Sequence, residues 1–205
     1  TLTSRYTGSP ETQMDFDIKR IREKGFLPFF QEVEEANLSD TFWNVRLVQL
    51  LETQVINSPF FNVFLAAQIY KGNNALFCNG TKVGYLITLI GDVHHIFPKQ
   101  YLRNNGYNEK IQYNQIANFT YLDTQVNKDI SDAAPNVYFT NAIKQCEEGN
   151  ARYGNITDLN CLKTNIAENC IPEQIVDMDY SDYPDFLIAR RKLMAAKIKD
   201  YYYSL

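Results

Sequence analysis

Histidine is nearly missing from this chain: there are two in 205 residues, and they are neighbours, His94 and His95. Imidazole chemistry at two separate places is thereby excluded. The cysteines are few and scattered: Cys78, Cys146, Cys161 and Cys170 make no CxxC pair. That spacing argues against a four-thiolate zinc site, and in a chain without a visible secretory leader it also argues against a disulfide framework. Four reduced thiols, partly in the core, fit the cytoplasm best. No long apolar run is present. The most apolar window, Phe60 to Tyr70, is broken by Asn62 and Gln68 and is far short of the ~20 residues a spanning helix needs. A GxxxxGK[ST] phosphate loop is missing too. Excess positive charge is also lacking: the net charge is −4, so the overall field does not drive nucleic-acid binding. The chain opens on Thr1 rather than Met, and we expect it to be the C-terminal part of a longer protein.

What is present suffices for a core. The apolar share is 45% and the charged share 21%, with 14 Tyr and 13 Phe, which predicts a globule packed on aromatic rings. Charge is uneven. Residues 11–40 hold eight acids against four bases, and residues 168–185 hold six acids and no base. Lys99, Arg103, Lys110 and Lys128 follow the histidines, and Arg190, Arg191, Lys192, Lys197 and Lys199 crowd the tail. A polyanion can dock at such places, although the tail bases read most simply as the wet face of a helix.

Patterning divides one domain, 1–205, into three parts. Residues 1–82 read as helical. Ser9-Pro10-Glu11 opens a helix that Gly25 stops. A second covers Pro28 to Ala36, a third opens at Ser39-Asp40, and a fourth at Ser58-Pro59. Residues 83–135 change character. Val83 to Ile90 is a helix or a buried strand that Gly91 ends, a short strand carrying Val93 and His95 follows, and Gln115 to Leu122 resembles a second strand. Thr124 caps a short helix through Asn127 to Ile130, and Pro135 closes the unit. Residues 136–205 are helical again, over 136–148, 158–169 and 184–202. The class is α+β: a mostly helical domain enclosing a β-β-α hairpin.

The histidine pair therefore falls on a strand, where successive side chains point to opposite faces. Two such rings do not clamp one ion together. Divided labour follows: one ring faces a metal and the other faces a substrate. Asn127 offers an amide oxygen from the next helix, and Asp92 offers a carboxylate. An oxygen-rich site with one imidazole suits Mg²⁺ or Mn²⁺, with Zn²⁺ as a further candidate. The other histidine suits general-base work, since an imidazole of ordinary pKa near ~6.5 is largely neutral at pH 7. Metal, imidazole and a nearby Lys make a kit for phosphodiester hydrolysis.

Asp92-Val93-His94-His95-Ile96-Phe97-Pro98, then Ile116-Ala117-Asn118, then Asn127-Lys128 and Ser131-Asp132, closely resembles the motif of HNH nucleases of the ββα-metal type. The flanks RYTGSPET, SDTFW, GDVHHIFPKQYL, CIPEQ and YPDFLIARRKLMAAKIKDYY look like the C-terminal HNH domain of GmrSD-type, modification-dependent restriction enzymes and of phosphorothioate-sensing defence proteins. The resemblance implies a metal site at His94 and Asn127, with Asp92 near it, a general base at His95, and Asn118 bracing the loop between the strands. The bases beside the motif, Lys99, Arg103 and Lys128, are the expected DNA contacts. The first ligand is His where the family usually has Asp, and the last is Asn where His is usual. This leaves Mg²⁺, Mn²⁺, Zn²⁺ and Ni²⁺ as candidates. An N-terminal nucleotide-hydrolysing domain normally precedes this one in that family. The expected function is metal-dependent cleavage or nicking of DNA in defence against foreign DNA. Two rivals remain: a catalytically silent DNA-binding or regulatory module, and a helical interaction domain whose histidines bind a structural metal.

Overall fold

The computed structural model describes residues 2–89 and 93–205. The class is α+β and mostly helical, with one small two-stranded antiparallel sheet. The N-terminal part holds α1 (Pro10–Lys24), α2 (Phe26–Asn37), a π-helical turn (Phe42–Arg46) running into α3 (Leu47–Leu50), and α4 (Pro59–Tyr70). The middle holds α5 (Val83–Thr88), β1 (Val93–His95), α6 (Lys99–Asn104), α7 (Lys110–Tyr113), β2 (Phe119–Tyr121) and α8 (Thr124–Ile130). The C-terminal part holds α9 (Pro135–Glu148), α10 (Leu159–Glu168) and α11 (Tyr183–Tyr202).

Local chemistry sets most of these boundaries. Pro10 sits in the first turn of α1 and Gly25 follows its end with φ 86°. The Ser58 hydroxyl accepts the Phe61 N–H at the start of α4, and the Asp158 carboxylate accepts the Cys161 N–H at the start of α10. Three expectations need correcting. Asp123, not Thr124, caps α8, because its carboxylate reaches the Gln125 N–H and Thr124 is the first helical residue. Gln115 to Leu122 is not one strand: Ile116–Asn118 is a 3-10 turn, and only Phe119–Tyr121 pairs with β1. Pro135 opens α9 rather than closing the hairpin unit, its fixed φ suiting a first turn. For Val83 to Ile90 the helix wins, over Val83–Thr88.

Two large buried clusters and a small one of Ala75, Cys78 and Leu86 hold the chain, and the hairpin contributes to both large ones. The first gathers Phe77, Tyr138, Phe139, Tyr153, Tyr183 and Phe186, with Ile96, Phe97, Val126 and Ile130 joining from the hairpin side. The second gathers Phe42, Trp43, Leu47, Phe61, Phe64 and Met194, with Ile116, Ala117 and Phe119 joining. Helix α11 serves both, giving Tyr183 and Phe186 to one and Met194, Ala195 and Ile198 to the other. At 20 residues it is about 30 Å long, enough to reach both clusters. All four cysteines are free. Among the described residues, no helix is long and apolar enough to cross a membrane.

Candidate active site

Strand β1 pairs with β2 in the register Val93–Tyr121, His94–Thr120 and His95–Phe119. The pleat sends the two imidazoles apart, as the alternation requires. His94 is buried and His95 half-buried. His94 turns toward α8, where its Nδ1 lies 2.5 Å from Asn127 Oδ1. His95 turns toward the loop after α7, where its Nε2 lies 2.8 Å from Asn114 Oδ1. Its ring also meets Phe119 edge-on, the centroids 5.0 Å apart.

An amide oxygen only accepts, so each contact fixes a ring hydrogen. His95 carries its hydrogen on Nε2, and Nδ1 keeps the lone pair. His94 carries its hydrogen on Nδ1, and its Nε2 is buried without a partner. Burial holds the His94 imidazole down at about 4, against the upward pull of Asn127 and with a smaller push down from His95. His95 is lowered as well, first by burial and then by the nearby Lys99 ammonium, while Asn114 pulls it up. Both rings are therefore neutral at pH 7, the form that ligation and proton abstraction need.

Asn118 does what a brace must. It is wholly buried. Its Oδ1 accepts the Phe97 N–H at 2.8 Å, and its Nδ2 donates to Phe97 O at 3.1 Å and Tyr113 O at 3.2 Å. One side chain thus ties the chain after β1, the end of α7 and the approach to β2 together. It touches neither histidine, so it positions rather than reacts. Behind it, Arg190 of α11 donates to Ala117 O at 2.9 Å and Phe119 O at 2.7 Å, on either side of Asn118, and to Asn169 O at 3.2 Å. Arg190 is fully buried and Arg191 nearly so, which corrects the expectation that the tail bases simply face water. Tyr138 adds a hydroxyl bond to Ile96 O at 2.6 Å.

An open cleft of about 220 Å³ is lined by Val93, His94, His95, Pro98, Lys99, Gln100, Asn127 and Ser131. Of the expected DNA-contacting bases, Lys99 stands on this cleft, its Nζ 5.3 Å from the Tyr113 ring centroid. Arg103 and Lys128 are exposed but do not line it. Gly91 and Asp92 lie outside the described residues. Sequence reasoning passed over Asn114, Gln100, Tyr138 and Arg190 as site-building residues.

The donor set can be tested against a divalent cation. Were the His94 hydrogen on Nε2, the lone pairs of Nδ1 and Asn127 Oδ1 would face each other, and opening their separation from 2.5 Å to about 3 Å would let them take neighbouring positions on one octahedral cation. Among the described residues no three of His, Cys, Asp and Glu come together. One imidazole and one amide oxygen, completed by water and phosphate oxygens, match the habits of Mg²⁺ or Mn²⁺ and fall short of the nitrogen and sulfur shell of a structural zinc. Comparison of the chain with protein-family profiles, with curated proteins and with solved structures finds no match in any of the three.

Proposed function

We propose that this chain is a metal-dependent DNA endonuclease of the HNH type, hydrolysing phosphodiester bonds in restriction of foreign DNA in the cytoplasm. One observation carries the reading. The chain's two imidazoles diverge from adjacent positions on β1 and meet different amides, His94 with Asn127 and His95 with Asn114, while both still line one open cleft beside Lys99. The role in defence rests on the resemblance of the motif and its flanks, and the cytoplasmic setting on the four free thiols.

In this reading His95 is the general base. Asn114 holds its Nε2 hydrogen, so Nδ1 takes a proton from a water molecule, and the same amide oxygen steadies the imidazolium that results. Hydroxide attacks the phosphorus in line, the P–O3′ bond breaks, and the departing 3′ oxygen takes a proton from solvent water, so the products end in 5′-phosphate and 3′-hydroxyl. Lys99 holds a phosphate oxygen. Its charge also keeps His95 neutral before the step. His94 and Asn127 would hold the divalent cation, which would supply Lewis acidity toward the phosphate. Asn118 keeps β1 and β2 in register under both rings.

The test is plasmid nicking with Mg²⁺ or Mn²⁺. His95→Ala should lower the rate by at least about 10²-fold with the fold and DNA binding kept. Parental cutting by that variant refutes the base. His94→Ala should weaken metal binding in calorimetry, and unchanged affinity counts against the ligand. The rival, a silent DNA-binding module, draws on the His94–Asn127 hydrogen bond, which is complete without a cation. A parent protein that binds plasmid yet leaves it supercoiled with every divalent metal would favour the rival.

A further inference from the structure

Four described residues other than glycine have positive φ: Ser4, Phe77, Ser131 and Cys170. Three have a visible reason. Phe77 and Cys170 are buried side chains packed into the core, and Ser4 starts a turn whose carbonyl takes two hydrogen bonds from Thr7. Ser131 has no such reason. It is exposed, and it sits at φ 53°, ψ −119°, a region that glycine visits freely and serine does not. A residue held there stores backbone strain. The end of α9 shows what a helix stop alone requires: glycine, Gly149, at φ 68°, ψ 15°. At the end of α8 the chain has a side chain where glycine would be easier.

That side chain lines the cleft of His94, His95, Lys99 and Asn127. Its backbone N–H closes the last turn of α8 on the backbone carbonyl of Asn127 at 3.0 Å, so the strained residue is tied to the main chain of the residue whose side-chain amide meets His94. Among the described residues its hydroxyl has one hydrogen bond, to Asp132 Oδ1 at 3.5 Å, the outer limit for such a bond. The hydroxyl is therefore neither buried nor firmly engaged, and packing does not repay the strain. We propose that Ser131 is a substrate-contacting residue whose hydroxyl donates to a phosphate oxygen of the DNA strand held in this cleft, alongside Lys99. The inference rests on the nuclease reading and adds a neutral phosphate contact to it. Asp132 opposes that contact by its charge, so Asp132→Asn should tighten it.

The experiment uses the full chain, a fluorescent DNA duplex and a chelator, with affinity read by anisotropy over a range of salt. Ser131→Gly relieves the backbone and should raise Tm by about 2–4 °C, yet weaken binding about tenfold. Ser131→Ala keeps the backbone strained and should lose the same affinity with no gain in Tm. Neither should change the salt slope, because no charge is removed, whereas Lys99→Ala should lower that slope by about 1. Parental affinity in both serine variants overturns this proposal and leaves the nuclease reading standing. A parent protein with no affinity for DNA overturns both.

Discussion

His95 donates its Nε2–H to Asn114 Oδ1 at 2.8 Å across 19 residues of chain. In the proposed nuclease this bond decides which ring nitrogen acts. With Nε2 engaged, Nδ1 is the free base. Without Asn114 the ring is free to rotate and to exchange tautomers. On the proposed nuclease reading, Asn114→Ala should reduce plasmid nicking by about 10–100-fold, the range found when the partner that orients a metal-bound histidine is removed, with DNA affinity unchanged. Asn114→Asp keeps an acceptor in place and should stay within a few-fold of the parent. Equal rates for the parent and the alanine variant would remove Asn114 from the site.

What the sequence made legible, and what it hid, follows the range of the forces involved. Helix starts at Pro10, Pro59 and Asp158 were legible because caps and prolines act within three residues. The divergence of His94 and His95 was legible for a similar reason: alternation along a strand is a property of neighbours. Asn127 was reachable because a short helix follows β2 directly. Asn114 was hidden among Asn104, Asn105 and Asn108, with no periodicity to mark it out. Arg190 was misjudged because its neighbours Arg191 and Lys192 make a basic run, and basic runs are usually wet. What buries it is a set of backbone carbonyls from 117, 119 and 169, whose convergence depends on the tertiary fold alone.

Arg190 is the clearest case of a charge kept for architecture. Burial lowers its guanidinium to about 10, with upward pulls from Cys170 and Tyr138, so it remains charged at pH 7. It has no carboxylate partner among the described residues. Three carbonyls share its two terminal nitrogens. Arg190→Met fills the space but leaves those carbonyls unpaired in the interior. A loss of about 2–4 kcal/mol in urea unfolding is expected. Arg191→Met should cost less than about 1 kcal/mol, since its partner Glu52 is exposed.

A second support lies against Phe77. Gly154 has φ +65°, and a Cβ built on it would stand 1.9 Å from Phe77 O. That carbonyl also accepts the Asn155 N–H at 3.1 Å, so neither strand of backbone can retreat without losing a bond. Gly154→Ala should destabilise the protein by more than about 3 kcal/mol. Gly80 also has positive φ, at +92°, but open space around it, and Gly80→Ala should cost about 1 kcal/mol from the backbone alone. Urea midpoints for the two variants separate collision from conformational preference.

The N-terminal clasp predicts a pH dependence of stability. Asp17 on α1 is 4% exposed and accepts from Arg5 Nε at 2.9 Å and Nη2 at 2.5 Å, from Tyr6 Oη at 2.9 Å and from Gln13 Nε2 at 2.8 Å. Hydrogen bonding from Arg5 holds its carboxyl at about 2, against the opposing effect of burial and with further help from Gln13 and Tyr6. The folded pKa is thus below the ordinary value of 3.8. The stabilisation is complete above the ordinary value and is lost as pH falls from there through about 2, where the folded carboxylate takes up its proton. Arg5 lies partly in solvent, which trims the effect to about 1–2 kcal/mol. Urea unfolding at pH 5 and pH 2 should show the parent losing that much more than Asp17→Asn, which has no carboxyl to protonate. Parallel losses in the two proteins would show that the clasp contributes nothing to acid sensitivity.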